Sequence, residues 1–217
     1  MRPAEHAERI HAAPPPMPGY AGFITLLAFH IFAEEAVDVA VLETGMGGET
    51  DSTNVITSSM ATGITELGLD HTNRLGDNLE SIAWHESGIF RPGVPAFSVL
   101  QQEAAARVLR DRADEKSVEL CIIDETFITD NHITIAPDEH FQRRNASLAL
   151  ALAGEYVNSL SPSYIGPEVV RCLERTSLPT KFEMITQDRT CFVLSSAHNE
   201  MSIAAACHAF MSLLESK

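Results

Sequence analysis

VPAFSVLQQEAAARVLRDRADEKSVELCIID, residues 94–124, is the stretch that decides the fold. Residues 94–100 read as a strand, 103–116 as a helix and 118–124 as a second strand. Strands that alternate with helices at this spacing imply a parallel sheet covered on both faces. Upstream the theme repeats. Residues 61–67 form a strand that ends at Gly68, Asp70 and His71, and Asp77 is placed to cap a helix over 79–89 that Arg91, Pro92 and Gly93 stop. Earlier still, residues 37–42 are a short apolar, β-branched run that reads as a buried strand, closed by Glu43 and followed by Gly45, Gly47 and Gly48. Before that run, Phe23, Leu26, Leu27, Ile31 and Phe32 fall on one face of a helix over 22–36. Residues 14–18 are a proline-rich, extended entry.

Downstream the pattern changes. Phe127-Ile128 and residues 133–135 flank Asp130-Asn131, which predicts a β-hairpin. An Ala- and Leu-rich helix is expected over 142–158, and a shorter one from Pro167 to about Thr176. Residues 177–180 read as a linker, 182–185 and 191–194 as a pair of strands, and 200–214 as a helix. A lone strand–helix unit builds no sheet of its own, so residues 177–217 read as the opening of a second α/β domain and residues 1–176 as the first.

Composition sets the bounds. With 217 residues, 45% of them hydrophobic, the chain can bury one substantial core. A formal net charge of −15, with Lys and Arg scattered singly, repels nucleic acid and anionic lipid. No apolar run is long enough to span a bilayer, and residues 1–11 do not read as a secretory signal. Cys121, Cys172, Cys191 and Cys207 lie far apart without a Cys-x-x-Cys pair, which predicts free thiols in the cytoplasm or the mitochondrial matrix.

In an open parallel sheet, ligands gather at the carboxyl ends of the strands. Glu43 and His71 both follow predicted strands, and one carboxylate with one imidazole could hold a divalent cation that bridges nucleotide phosphates. The residues alone leave a second reading open: a solvent-facing Glu and a His that hydrogen-bonds a loop.

Several separated segments share one family resemblance. Residues 17–20 (MPGY) with 23–30 (FITLLAFH), then 42–48 (LETGMGG) with 51–55 (DSTNV), resemble folylpolyglutamate synthases, whose signature is Glu-x-Gly-x-Gly-Gly-x-x-Asp-[Ser/Ala]-Thr-Asn. Residues 68–71 (GLDH), 84–88, 90–97 (FRPGVPAF), 142–148 (QRRNASL) and 195–199 (SSAHN) continue in the same order, and the likeness is to the fungal-type enzymes of this Mur ligase branch. The resemblance implies a Mur-ligase-like central ATP-binding domain, α/β with a mostly parallel sheet flanked by helices, and the start of a C-terminal domain. It also implies an ATP-dependent ligase of one-carbon metabolism. Such an enzyme activates the γ-carboxylate of tetrahydrofolate's terminal glutamate as an acyl phosphate and joins glutamate to it, with ATP and Mg²⁺ as cofactors. Folate, glutamate and ATP are then the partners of a monomer, with no nucleic acid or membrane. Carried over residue by residue, Glu43 and His71 would be magnesium ligands. Gly47, Gly48, Asp51 and Asn54 would shape the loop beside the phosphates, Asn145 and Gln142 would sit at the adenine, and His198 would belong to the interdomain nucleotide site.

Three departures accompany the resemblance. No Gly-x-x-x-x-Gly-Lys-Ser/Thr loop occurs in the 217 residues, so the amide nest, lysine and hydroxyl that such a loop offers a nucleotide are lacking from this sequence. Glu86 stands where the family has a lysine that is carbamylated in related ligases; it restores the negative charge on a shorter stem, as a metal contact through water or as a plain surface carboxylate. Ser195-Ser196 replaces an Asp-Gly pair, and Lys181, following Thr180, stands for an arginine whose planar, bidentate phosphate contact it does not reproduce. The expectation for the chain alone is therefore no ligation and little or no MgATP binding. The alternatives are a non-catalytic relict or regulatory binding module of the same fold, and a truncated product with a bare sheet edge.

Overall fold

The computed structural model describes residues 17–160 and 166–215. The chain divides into two compact units, Met1–Thr44 and Gly45–Lys217. The readings of residues 1–11 and of prolines 14–16 lie outside the described residues.

In the first unit, α1 (Tyr20–Glu34) starts at Gly19 in extended conformation and ends where Ala36 takes a positive φ of 49°. Its apolar residues surround the axis, and none is buried in this unit. The buried strand expected over 37–42 is not found: the segment pairs with no strand among the described residues, and Val41 is 90% exposed. A run of valines favours extended backbone, but a strand is made by the ladder of a neighbour, and that ladder is missing here.

The second unit is built on a parallel sheet in the order β1 (Thr62–Ile64), β2 (Ala96–Val99), β3 (Leu120–Ile123), with Ala96 opposite both Thr62 and Leu120. Helix α2 (Thr72–Leu75), helix α3 (Leu79–Glu86) and a 3₁₀ turn at Ser87–Ile89 lead from β1 to β2, and α4 (Glu103–Glu115) leads from β2 to β3. All four residues of β2 are buried, as a central parallel strand covered on both faces must be. The pleat sends Ala96 to one side, where Ala83, Phe90, Ala105 and Leu109 form the main core. Phe97 and Val99 go to the other side, against Leu148, Ala151 and Leu152 of α6 (His140–Leu160). Gly63 lets α6 approach closely, because a Cβ there would lie 2.8 Å from Leu152 Cδ1.

Two local expectations shift. Asn78, not Asp77, caps α3, accepting the Ser81 amide on Oδ1 at 2.8 Å. The predicted hairpin is a short helix, α5 (Thr126–Asp130), started by Asp124 accepting the Thr126 amide at 2.9 Å and closed by the Asn131 side-chain amide donating to the Phe127 carbonyl at 2.9 Å. Ile128, Ile133 and Ile135 are buried as a pair of strands would have buried them, but in a second cluster with Leu150 and with Val169, Val170 and Leu173 of α7 (Pro167–Arg175). Apolar spacing specified the burial; the flanking Asp and Asn, satisfying backbone groups locally, specified a helix instead of a turn.

The expected late strands form a separate antiparallel pair, β4 (Lys181–Gln187) and β5 (Thr190–Ser195), followed by α8 (Glu200–Glu215). No helix among the described residues is long and apolar enough to cross a membrane.

Candidate functional site

Two constellations contain most of the candidate residues of the second unit. The first is the glycine-rich loop. Asp51 organises it: Oδ2 accepts the amides of Gly45 at 2.9 Å and Met46 at 3.2 Å, and Oδ1 accepts the Thr53 amide at 2.8 Å and its hydroxyl at 2.7 Å. Burial pushes the Asp51 carboxyl up, but these donors outweigh it and hold it below the usual aspartate range. Gly47 needs its missing side chain twice over, having φ 64° and Leu75 Cδ2 only 2.7 Å from where a Cβ would stand. Gly48 and Gly88 let two backbones meet: a Cβ on Gly88 would lie 2.2 Å from Glu49 Cα. Asn54 ties the loop down, donating to the Gly88 carbonyl at 3.3 Å and accepting from Arg91 on its side-chain oxygen. Behind the loop, Arg112 donates to Glu49 Oε2 at 2.6 Å and lies over the Trp84 ring at 4.7 Å. Lys116 donates to the Gly88 carbonyl at 3.0 Å.

Glu86 faces this loop. Burial pushes its carboxyl up, against the pull of the Gly47 and Gly48 amides beside it. It is therefore a half-buried carboxylate turned to loop amides, not a plain surface glutamate.

The second constellation centres on Asp70, just past β1. Its Oδ1 accepts the His71 amide at 2.7 Å, and its Oδ2 accepts both His198 Nε2 at 3.0 Å and Asn199 Nδ2 at 3.0 Å. His71 stands at the start of α2 in left-handed conformation, φ 49° and ψ 34°, with its side chain part-exposed. The Asn199 amide, more than any other group, draws the Asp70 carboxyl below its usual range, and the amide and charge of His71 and the His198 bond add to it against the opposing effect of burial. His198 is pushed the other way, first by the Ser196 carbonyl and then by Asp70, with Lys181 opposing. Lys181 opens β4 and is exposed. Sequence reasoning named His71 and His198 but missed that Asp70 and Asn199 join their two segments; each neighbours a named histidine inside a quoted motif, residues 68–71 and 195–199, and that is the signal the sequence carries.

Gln142 and Asn145 lie in the first turns of α6 and hydrogen-bond neither the glycine loop nor Asp70 among the described residues. Gln142 donates to the Ala136 carbonyl at 3.5 Å, and Asn145 is exposed. Next to them, Glu125 accepts from His140 at 2.6 Å and Arg143 at 2.9 Å, fixing the start of α6 on the end of β3. An open cavity of about 330 Å³ lies at the same end of β3, lined by Ile123, Asp124, Phe127, Ser147 and Leu150, and the buried Ser147 hydroxyl there has no hydrogen-bond partner among the described residues.

For magnesium, the fit is incomplete. Among the described residues, no three His, Cys, Asp or Glu side chains come together as a donor set. Glu43 ends the first unit, exposed, and is described with that unit alone. His71 belongs to the second unit, and Glu86 is engaged by the loop.

No protein-family model matches the chain. It is 42% identical to the folylpolyglutamate synthase of Neurospora crassa over 87% of its own length and 37% of that protein's. It is 38% identical to the mitochondrial folylpolyglutamate synthase of Bos taurus, over 91% of the chain and 38% of that protein. A solved FPGS–AMPPCP–folate complex superposes with a TM-score of 0.78 at 25% identity, covering 97% of this chain and 55% of that one. The α/β fold, a parallel sheet flanked by helices, is that of the Mur ligase class to which this solved structure belongs. More narrowly, the chain belongs to the folylpolyglutamate synthase family and spans little more than a third of the length of the curated relatives it matches.

Proposed function

We propose that these 217 residues are the middle of an ATP-dependent ligase that adds glutamate to the γ-carboxylate of a folate. The observation that carries this reading is the meeting of two family motifs 128 positions apart: Gly68–His71 and Ser195–Asn199 are joined by Asp70 and His198. The AMPPCP–folate complex supports the nucleotide and the folate as ligands of the same fold. The chain's own residues then have defined tasks. Asp51, with Asn54 and Arg91, holds the glycine loop in one conformation, a preorganised wall beside the phosphates. Gln142 and Asn145 present amides for the adenine from the head of α6. Lys181 and His198 bring positive charge toward the nucleotide. His71 in the second unit and, separately, Glu43 in the first are each a candidate contact of magnesium by motif alone; the ion when bound would neutralise charge on the transferred phosphoryl group. Glu86, turned to loop amides, acts on the loop and reaches a cation only through water.

Residues 177–217 begin the second domain on this reading, and the monomer works in the cytoplasm or, like its bovine relative, in mitochondria. The test is ligation. The 217 residues alone transfer no labelled glutamate to folate, because they hold no phosphate-binding loop; a longer polypeptide that joins them to a Gly-x-x-x-x-Gly-Lys-Ser/Thr segment does so only with ATP. A folded, P-loop-bearing version with no ATP-dependent transfer overturns the proposal.

A further inference from the structure

His198 has acceptors at both ring nitrogens. Nδ1 lies 2.9 Å from the Ser196 carbonyl, and Nε2 lies 3.0 Å from Asp70 Oδ2. A carbonyl oxygen can only accept, so Nδ1 carries a proton; an ionised carboxylate can only accept, so Nε2 carries one too. The same Asp70 oxygen takes the Asn199 side-chain amide at 3.0 Å. Asn199 in turn starts α8, its Oδ1 accepting the Ser202 amide at 2.9 Å, while the Ser202 hydroxyl accepts the His198 and Asn199 amides. One carboxylate on the loop after β1 therefore grips the first turn of the last helix.

We propose that Asp70 is a positioning residue that latches the β4–β5–α8 element onto the carboxyl end of the sheet through His198 and Asn199. Among the described residues few other contacts do so: Met201 packs on Gly68, with its Cε 2.9 Å from where a Cβ would stand, and exposed His208 donates from Nδ1 to the largely buried Glu139 Oε2 at 3.0 Å. An element with so little buried area of its own is placed by these few directed contacts. The latch also commits both nitrogens of His198. Contact of Nε2 with a nucleotide phosphate and its bond to Asp70 exclude one another, so His198 reaches a nucleotide only when the element has moved off Asp70. This inference stands apart from the ligase reading, since it needs no turnover to be tested.

Hydrogen exchange on the full chain tests it, with limited trypsin cleavage at Arg175 and Lys181 as a second readout. In Asp70→Ala, amides 196–203 exchange about tenfold faster and cleavage at those two sites speeds up, while β2 and α4 keep their protection. His198→Phe alters an exposed side chain, keeps a ring and loses both donors, and gives the same local change; Asp70→Glu restores part of the protection. Unchanged exchange at 196–203 in both Asp70→Ala and His198→Phe overturns the latch. Uniformly faster exchange that includes β2 in His198→Phe also overturns it, because it assigns the residues to global stability instead.

Discussion

The parallel sheet and the β4–β5–α8 element are stabilised in different ways. In the sheet, β2 is buried along its whole length and its side chains interdigitate with α4 on one face and α6 on the other. In the later element, Met184, Ile185, Phe192 and Leu194 are all at least 40% exposed, and Ala209 is the single buried residue of α8. Both regions have strand-forming residues and regular hydrogen bonding. Burial separates them: the sheet is stabilised by apolar area removed from water, whereas the hairpin has its ladder and a few polar anchors. A two-stranded ladder satisfies backbone groups but leaves the side chains on one or both faces in solvent.

Mutations should widen or close that gap. Leu109→Ala removes a fully buried side chain from the main core and should cost about 3 kcal/mol of unfolding free energy, read from urea melts. Arg112→Ala strips a 7%-exposed guanidinium from Glu49 and from the Trp84 face, and should cost about 2 kcal/mol, less than the cost of a fully buried pair because Glu49 is part-exposed and Lys116 remains 3.8 Å away. Phe192→Ala, on the exposed hairpin, should change stability by less than about 0.5 kcal/mol. A Phe192 effect as large as that of Leu109 would mean that the hairpin is covered in solution and that the contrast is wrong.

The glycine loop offers a test by pH. Asp51 has its folded pKa below the ordinary aspartate value, so it contributes to loop stability fully above about pH 4 and loses that contribution as pH falls through the lower, folded value. Exchange protection of amides 45, 46 and 53 should therefore hold from neutrality down to about pH 4 and fail below it, and Asp51→Asn should remove it at every pH. Protection that persists in Asp51→Asn would show that the loop is held by its packing at Gly48 and Gly88 instead.

Much of the fold was legible because it rests on local pattern. The alternation of residues 61–67, 94–100 and 118–124 with helices, the stop at Arg91-Pro92-Gly93 and the late pair of strands all reappear, with the parallel strands a few residues shorter than expected and the late pair slightly longer. Two elements were misread. The valines of 37–42 matched a strand's composition without its partner, and Asp130-Asn131 resembled a hairpin turn while serving as a helix end. In the site, Gly47, Gly48, Asp51 and Asn54 were named from the motif, and the structure adds what each does.

The sequence by itself determined which segments are strands and helices, which faces are apolar and which family's motifs the chain carries, because propensity, periodicity and motif spacing are all local properties of the chain. Only the tertiary structure decided that Asp70 would bind His198 and Asn199, that Glu86 would turn to the amides of Gly47 and Gly48, and that Arg112 would lie over the Trp84 ring. Those contacts join residues far apart in the chain, and the chain closes such distances only when packing of the whole fold offsets the entropy of closing them.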